Sequence, residues 1–525
     1  MKIGRLLLGA LFAWSAATAA TNSVRIETGL IEGTPGSTAD VHVFRGISYA
    51  APPVGDLRWR PPEPAAEWNG VRPAREFSHA CVQDTTPGRG PKLLVDATVQ
   101  EVSEDCLYLN VWTTANSAKE KRPVIVYFHG GGLAAGAGNE SLYNGEGMAK
   151  KGVVFVVSNY RVGVLGFLAY PELTKESQHH SSGNYGFLDQ IAALRWVQKN
   201  IAAFGGDPQK VTIMGQSGGS RSVNTLMASP LAKGLFQRVI SESHAYFAGV
   251  PTLAEAEEAG LKFAQAAGTS SLAQMRAKPF GELVRVQLQT RFQPNLNVDG
   301  YYMPADIYTM FATGRQNDVP LIAGSNSDES SGYAKLIGAE AFIEQARRRY
   351  GSQADVFLKF YPAGSDDEAN RSRTLSGTDQ SSSYEARAFA QLQSRTGKSK
   401  AFLYRFSHKP PLAGPDAQVY NDVFHGAELY YVLQQYDSRK DWAWTSEDRK
   451  LGDLMSTYWV NFARTGNPNG KGLPNWPSYD EKADTLMNFG DQVAVTPVPR
   501  AAALDFFEKH FHPVDGGFHS SAGSR

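Results

Sequence analysis

Ser217 stands between pairs of residues that suit a nucleophile. Gly215-Gln216-Ser217-Gly218-Gly219 follows the apolar run Val211-Thr212-Ile213-Met214 and precedes Arg221 to Leu226, a stretch able to form a helix. A strand, a tight turn and a helix are what a nucleophile elbow requires: glycines allow close backbone approach, and the helix N-terminus faces the developing negative charge. In a chain with 51 glycines the five-residue match alone is a weak signal, with a plain Gly-rich turn as its alternative, so the flanking elements carry the argument. A second glycine run, His129-Gly130-Gly131-Gly132, follows directly on Val124 to Phe128. Consecutive amides converge on an oxyanion only where no side chain fills the space, which makes Gly131, Gly132 and the amide of Gly218 candidate donors. His129 reads as a hydrogen-bonded structural histidine, and a sharp turn is the alternative use of its glycines.

An acyl-transfer serine needs an acid and a base, in the chain order serine, carboxylate, histidine. The apolar run Pro320-Leu321-Ile322-Ala323-Gly324 leads into Ser325-Asn326-Ser327-Asp328-Glu329, placing two carboxylates at the carboxyl end of a strand, where open α/β sheets bind ligands. Either could serve as the acid. Of the later histidines, His408 ends the run Phe402 to Phe406, while His510, His512 and His519 fall in a Gly- and Ser-rich tail where solvation is expected. His425, in Asn421-Asp422-Val423-Phe424-His425-Gly426-Ala427-Glu428, is the better base.

These residues need a scaffold. Between Pro123 and Phe247, β-rich runs at 124–128, 153–157 and 211–214 alternate with a helical pattern of Phe187, Ile191, Leu194, Val197 and Ile201. The pattern predicts a largely parallel sheet with crossover helices. The first hundred residues, with Ala51-Pro52-Pro53 and Trp59-Arg60-Pro61-Pro62, predict an antiparallel edge with long loops. Helical patterns at 253–310 and 339–392 predict insertions that wall a substrate site. No repeat or linker divides the chain, so a single domain over 20–509 is expected, followed by a mobile tail at 510–525.

Lys plus Arg and Asp plus Glu both number 52, which argues against a nucleic-acid partner. The N-terminus combines Lys2 and Arg5 with the apolar Leu6 to Trp14 and the small Ala17-Thr18-Ala19, as a cleaved export signal over 1–19 does. That apolar stretch is short of the roughly 20 residues a membrane span needs. The two cysteines, Cys81 and Cys106, read as one disulfide in an exported protein, with two free buried thiols as the alternative.

The motifs together resemble the type-B carboxylesterase/lipase family, which includes the cholinesterases. Besides the elbow, the resemblance rests on Phe44-Arg45-Gly46-Ile47, Ser103-Glu104-Asp105-Cys106-Leu107-Tyr108-Leu109-Asn110, the run from Asn159-Tyr160-Arg161 to Gly166-Phe167-Leu168, and Thr465-Gly466-Asn467-Pro468-Asn469 before Trp476-Pro477. It covers nearly all of the chain after the export signal. It implies an α/β-hydrolase fold, with a large, mostly parallel central sheet flanked by helices and helical insertions over the active site. It also implies Ser217 as nucleophile, Glu329 rather than Asp328 as acid, His425 as base, an oxyanion hole of Gly131, Gly132 and Gly218, and a Cys81–Cys106 disulfide. The implied activity is hydrolysis of small carboxylic esters, secreted or periplasmic, with no cofactor, metal or membrane span. A lipase and a non-catalytic binding protein of the same scaffold are the competing readings. The chain departs from the family pattern at Gln216, where Glu is usual, at Gly218 for Ala, at Ser330 for Gly, and at His244-Ala245 for Gly-Ser. His244 either faces the acyl pocket or is a buried polar residue, and Ser243 matches a family serine able to hydrogen-bond the acid.

Overall fold

The structure, a computed structural model, describes residues 22–86, 101–331, 336–414, 416–420 and 422–512. The expected export segment 1–19 and His519 lie outside these residues. Among the described residues, eleven strands form one mixed sheet. In chain order they are β1 (Thr34–Pro35), β2 (His42–Ser48), β3 (Tyr108–Thr113), β4 (Arg122–Phe128), β5 (Val154–Ser158), β6 (Gly206–Gln216), β7 (Arg238–Glu242), β8 (Leu321–Asn326), β9 (Ala401–Phe406), β10 (Thr485–Phe489) and β11 (Val493–Pro497). Across the sheet the order is β11-β10-β9-β8-β7-β6-β4-β5-β3-β2-β1.

The strands from β4 to β10 run parallel, and β3, β2 and β1 add the antiparallel edge expected of the first hundred residues. Val124 to Phe128 and Val154 to Val157 are wholly buried, as parallel strands covered by helices on both faces must be. The predicted helix spans Tyr185–Asn200, and Gly205, at φ +80°, turns the chain into β6. That turn places Gly206 to Pro208 within the strand, ahead of an irregularity in its pairing with β4.

The four site-bearing strands β4, β6, β7 and β8 end at Phe128, Gln216, Glu242 and Asn326. The glycine run at 129–132, Ser217 and Gly218, Ser243 and His244, and Asp328 and Glu329 follow these ends within a few positions, while His425 comes from the segment just before helix Glu428–Val432. The insertion at 253–310 forms helices Leu253–Ala266, Leu272–Ala277, Phe280–Thr290 and Ile307–Ala312. It packs on the segment 163–170, where Gly260 meets the Ala169 carbonyl and the Val164 N–H donates to Gln287 Oε1 at 2.7 Å. The insertion at 339–392 includes Asp366–Thr378 and Tyr384–Thr396, joined by a π-helical turn at Asp379–Ser383 that reaches the site.

The disulfide Cys81–Cys106 is present. Residues 510–512, expected in a mobile tail, are packed instead, and the rest of that expected tail lies outside the described residues. Helix Ala501–Phe511 includes His510, whose Nδ1 is 2.9 Å from Gln353 Oε1. His512 stacks on Tyr308 and hydrogen-bonds the Phe247 carbonyl through Nε2 at 2.5 Å. Apolar residues Leu504, Phe507 and Phe511 recur along one side of the helix and are buried, so packing holds the chain through this helix.

Candidate active site

Ser217 has φ +59° and ψ −118°, a strained conformation for a residue with a side chain. Its N–H donates to the Glu242 carbonyl at 2.9 Å, and its carbonyl accepts from Arg221 N–H at 3.0 Å, so the serine closes β6 and opens helix Gly218–Ala228. The neighbouring glycines are there for space. A Cβ on Gly215 would lie 2.3 Å from the Gly219 carbonyl oxygen, and one on Gly219 only 1.9 Å from that of Phe128. A Cβ on Gly218 would fall 2.8 Å from Gly132 N and 3.0 Å from Leu133 N, so amides of the glycine loop and the start of the helix close on one small volume. Gly131, at φ +98°, would place a Cβ 2.2 Å from the Ala135 carbonyl, a turn no other residue allows.

His425 is 6% exposed, and its Nδ1–H donates to Glu329 Oε2 at 2.5 Å. Glu329 Oε1 accepts the Asn326 N–H at 2.6 Å, and the Glu329 N–H donates to Thr378 Oγ1 at 2.9 Å. Asp328 turns away and accepts the amides of Ser330 and Ser331 at 3.2 and 3.0 Å, capping its own turn. Gln216 Nε2 lies 3.4 Å from Nδ1 and 3.2 Å from Nε2 of His425. Near-equal distances set the amide over the ring rather than in line with either nitrogen.

His244 lies beside this group, its ring 5.2 Å from that of His425. Its Nδ1–H donates to the Ser381 carbonyl at 2.5 Å, and Glu385 Oε2 is 3.8 Å from the same nitrogen. At 17% side-chain exposure it is open on one side, which favours the site-facing reading over the buried one. Ser243 departs from expectation: its Oγ is buried with no hydrogen-bond partner and does not reach the Glu329 carboxylate. At φ +64°, its backbone is committed to closing β7 against the Gly324 carbonyl. His129 stacks on Tyr160 at 4.3 Å with Nδ1 2.9 Å from the Gly130 carbonyl, and burial pushes its pKa down to about 4, which keeps it neutral. His408 sits between Asp491 and Asp448, at 2.8 and 2.9 Å, on a different part of the molecule's hydrogen-bond network.

Sequence reasoning missed Asn326, Thr378, Ser381 and Glu385, and also the buried acids Glu242 and Glu428. Only the acids left a signal: each is next to, or three residues beyond, a residue already selected.

The model of the carboxylesterase family matches residues 20–507. Fumonisin B1 esterase of Sphingopyxis macrogoltabida is 34% identical over 490 residues, covering 89% of this chain and 86% of the relative. Cocaine esterase of Homo sapiens is 32% identical over 501 residues, covering 90% and 88%. A solved PNB esterase structure superposes with a TM-score of 0.80 at 31% identity, over 92% of this chain and 99% of that one. With its mixed sheet, its strained serine and relatives matched over most of their length, the chain belongs to the carboxylesterase family and has the α/β-hydrolase fold.

Proposed function

We propose that this carboxylic ester hydrolase works by acyl transfer through Ser217, with His425 as base, Glu329 as its carboxylate partner, and the amides of Gly131, Gly132 and Gly218 as the oxyanion hole. The observation that carries the reading is the Nδ1 hydrogen bond of His425 to Glu329, which leaves Nε2 as the basic nitrogen. His425 takes the proton of Ser217 as the oxygen attacks the ester carbonyl, then returns it to the departing alcohol. Water repeats the cycle on the acyl-enzyme. Each oxyanion amide contributes about 3 kcal/mol to the transition state because it is aimed before the charge develops. His244 borders the acyl side and limits the groups that fit there.

The charged start, apolar run and Ala-Thr-Ala of residues 1–19, together with a disulfide, support export to the periplasm or the medium. Among the described residues no helix is long and apolar enough to cross a membrane.

Labelling with a reactive organophosphonate, peptide mapping and p-nitrophenyl butyrate turnover test the assignment. Labelling is expected on Ser217, with kcat falling about 10⁶-fold in Ser217→Ala. Full turnover in that variant removes Ser217 from the mechanism.

A further inference from the structure

Two carboxyl groups, Glu242 and Glu428, lie buried beside the site, and among the described residues neither is paired with a cation. Glu242 ends β7, in register with Gln216 on β6, so the two side chains leave the same face of the sheet side by side. Glu242 Oε1 accepts Trp459 Nε1–H at 3.0 Å, and Oε2 has no hydrogen-bond partner among the described residues. Glu428 opens helix Glu428–Val432, three residues beyond His425. Its Oε2 accepts Asn326 Nδ2–H at 2.5 Å, and its Oε1 likewise has no hydrogen-bond partner among the described residues. Asn326 also donates its main-chain N–H to Glu329, so a single residue joins Glu428 to the carboxylate on His425. Neither acid has measurable exposure.

The charged and titratable groups facing the pair are Tyr127 from β4, Glu329 after β8, Tyr404 from β9, and His425. Both tyrosine side chains are buried. No lysine or arginine is among these groups. Two carboxylates that sense each other in a dry interior cannot both ionise, so one holds a proton while the other carries the charge. Burial raises both acids first; the Glu329 carboxylate adds to it at Glu428, which is raised to about 7, and Glu428 adds to it at Glu242, which lies far above the carboxylate range.

We propose that Glu242 and Glu428 form a proton-sharing carboxyl pair whose single negative charge supports protonated His425, supplying from the adjacent strand the charge that the elbow lacks at Gln216. Both are positioning residues, and the proposal rests on His425 being the base. When His425 takes the Ser217 proton, its positive charge is met by Glu329 and by the pair, whose own proton stays in place. His425 lowers the proton affinity of Glu428, so the two groups are electrostatically coupled.

Two measurements on the full-length protein test this. In infrared spectra at pH 8, the parent is expected to show the stretch of a protonated buried carboxyl that is absent from Glu242→Gln, because lone Glu428 then ionises. A parent without that band, or a variant that keeps it, overturns the shared proton. The second measurement is kcat/KM against pH for p-nitrophenyl butyrate in the parent and in Glu242→Gln/Glu428→Gln. The acid limb of the double variant is expected about one pH unit lower and less steep, with kcat at least tenfold down and organophosphonate labelling retained. A folded, labelled double variant with the parent's profile overturns the link to His425. Failure of the parent to label at Ser217 would instead count against the triad, and the infrared result would still decide the pair.

Discussion

A carboxamide over the His425 ring is the departure at this site with the most direct electrostatic consequence. Gln216 offers an Nε2 group 3.2 Å from the imidazole and has no charge to stabilise the imidazolium. Gln216→Glu adds a carboxylate at that distance, which favours protonated His425 and raises its pKa. The base must be neutral in the free enzyme, so the acid limb of kcat/KM is expected to move to higher pH, by about one unit; an unmoved limb would show that solvent screens the position. The same scale shows where sequence legibility ends. Order along the chain selects His425, but two adjacent carboxylates at a strand end are equivalent on paper. Asp328 and Glu329 differ through tertiary contacts: one caps its own turn, and the other is held by the Asn326 and Thr378 groups. His244 was visible as an oddity, and its orientation depends on Ser381, 137 positions away.

At the level of elements, the parallel strands were legible because runs such as Val124 to Phe128 are apolar throughout and have nowhere to go but a core covered on both faces. The π-helical turn at Asp379–Ser383 was not, since its irregular backbone is held by Arg500 and Tyr361 on Asp379, at 2.6 and 2.8 Å. That turn brings the Ser381 carbonyl to His244, so the wall of the site is built by an irregularity that periodicity cannot reveal. The elbow depends on spacing as strictly. Because a Cβ on Gly219 would sit 1.9 Å from the Phe128 oxygen, Gly219→Ala must move β4 and the elbow apart. A shift of this order is expected to lower kcat/KM by about 10²-fold or more. Gly234→Ala is the control: φ is +81° with open space around the Cβ, so it strains the backbone at a cost of about 1 kcal/mol without touching turnover. Equal turnover in the two variants would refute the close-packing argument for the elbow.

Across the whole molecule, buried charge trades stability for function. Arg161 and Asp189 form a fully buried pair at 2.7 Å, and Glu242 and Glu428 add two acids with no basic partner. This internal balance was not readable from sequence, because Glu428 is an unremarkable residue until Asn326 and Glu329 are placed beside it. Its effect on stability has a definite sign. Folding raises the Glu428 pKa to about 7, from about 4.3 in the unfolded chain. Between those values the folded protein binds the extra proton, so stability falls as pH rises from about 4.5 to 7 and then levels off. The gap corresponds to a limit of about 4 kcal/mol, or about 3 °C in Tm for a chain of 525 residues. Glu428→Gln keeps an acceptor for Asn326 and removes the titration. By calorimetry it is expected to melt with the parent at pH 4.5 and above it at pH 7.5, while its support for His425 is lost. Equal melting temperatures at both pH values would mean that folding leaves the Glu428 proton affinity unchanged.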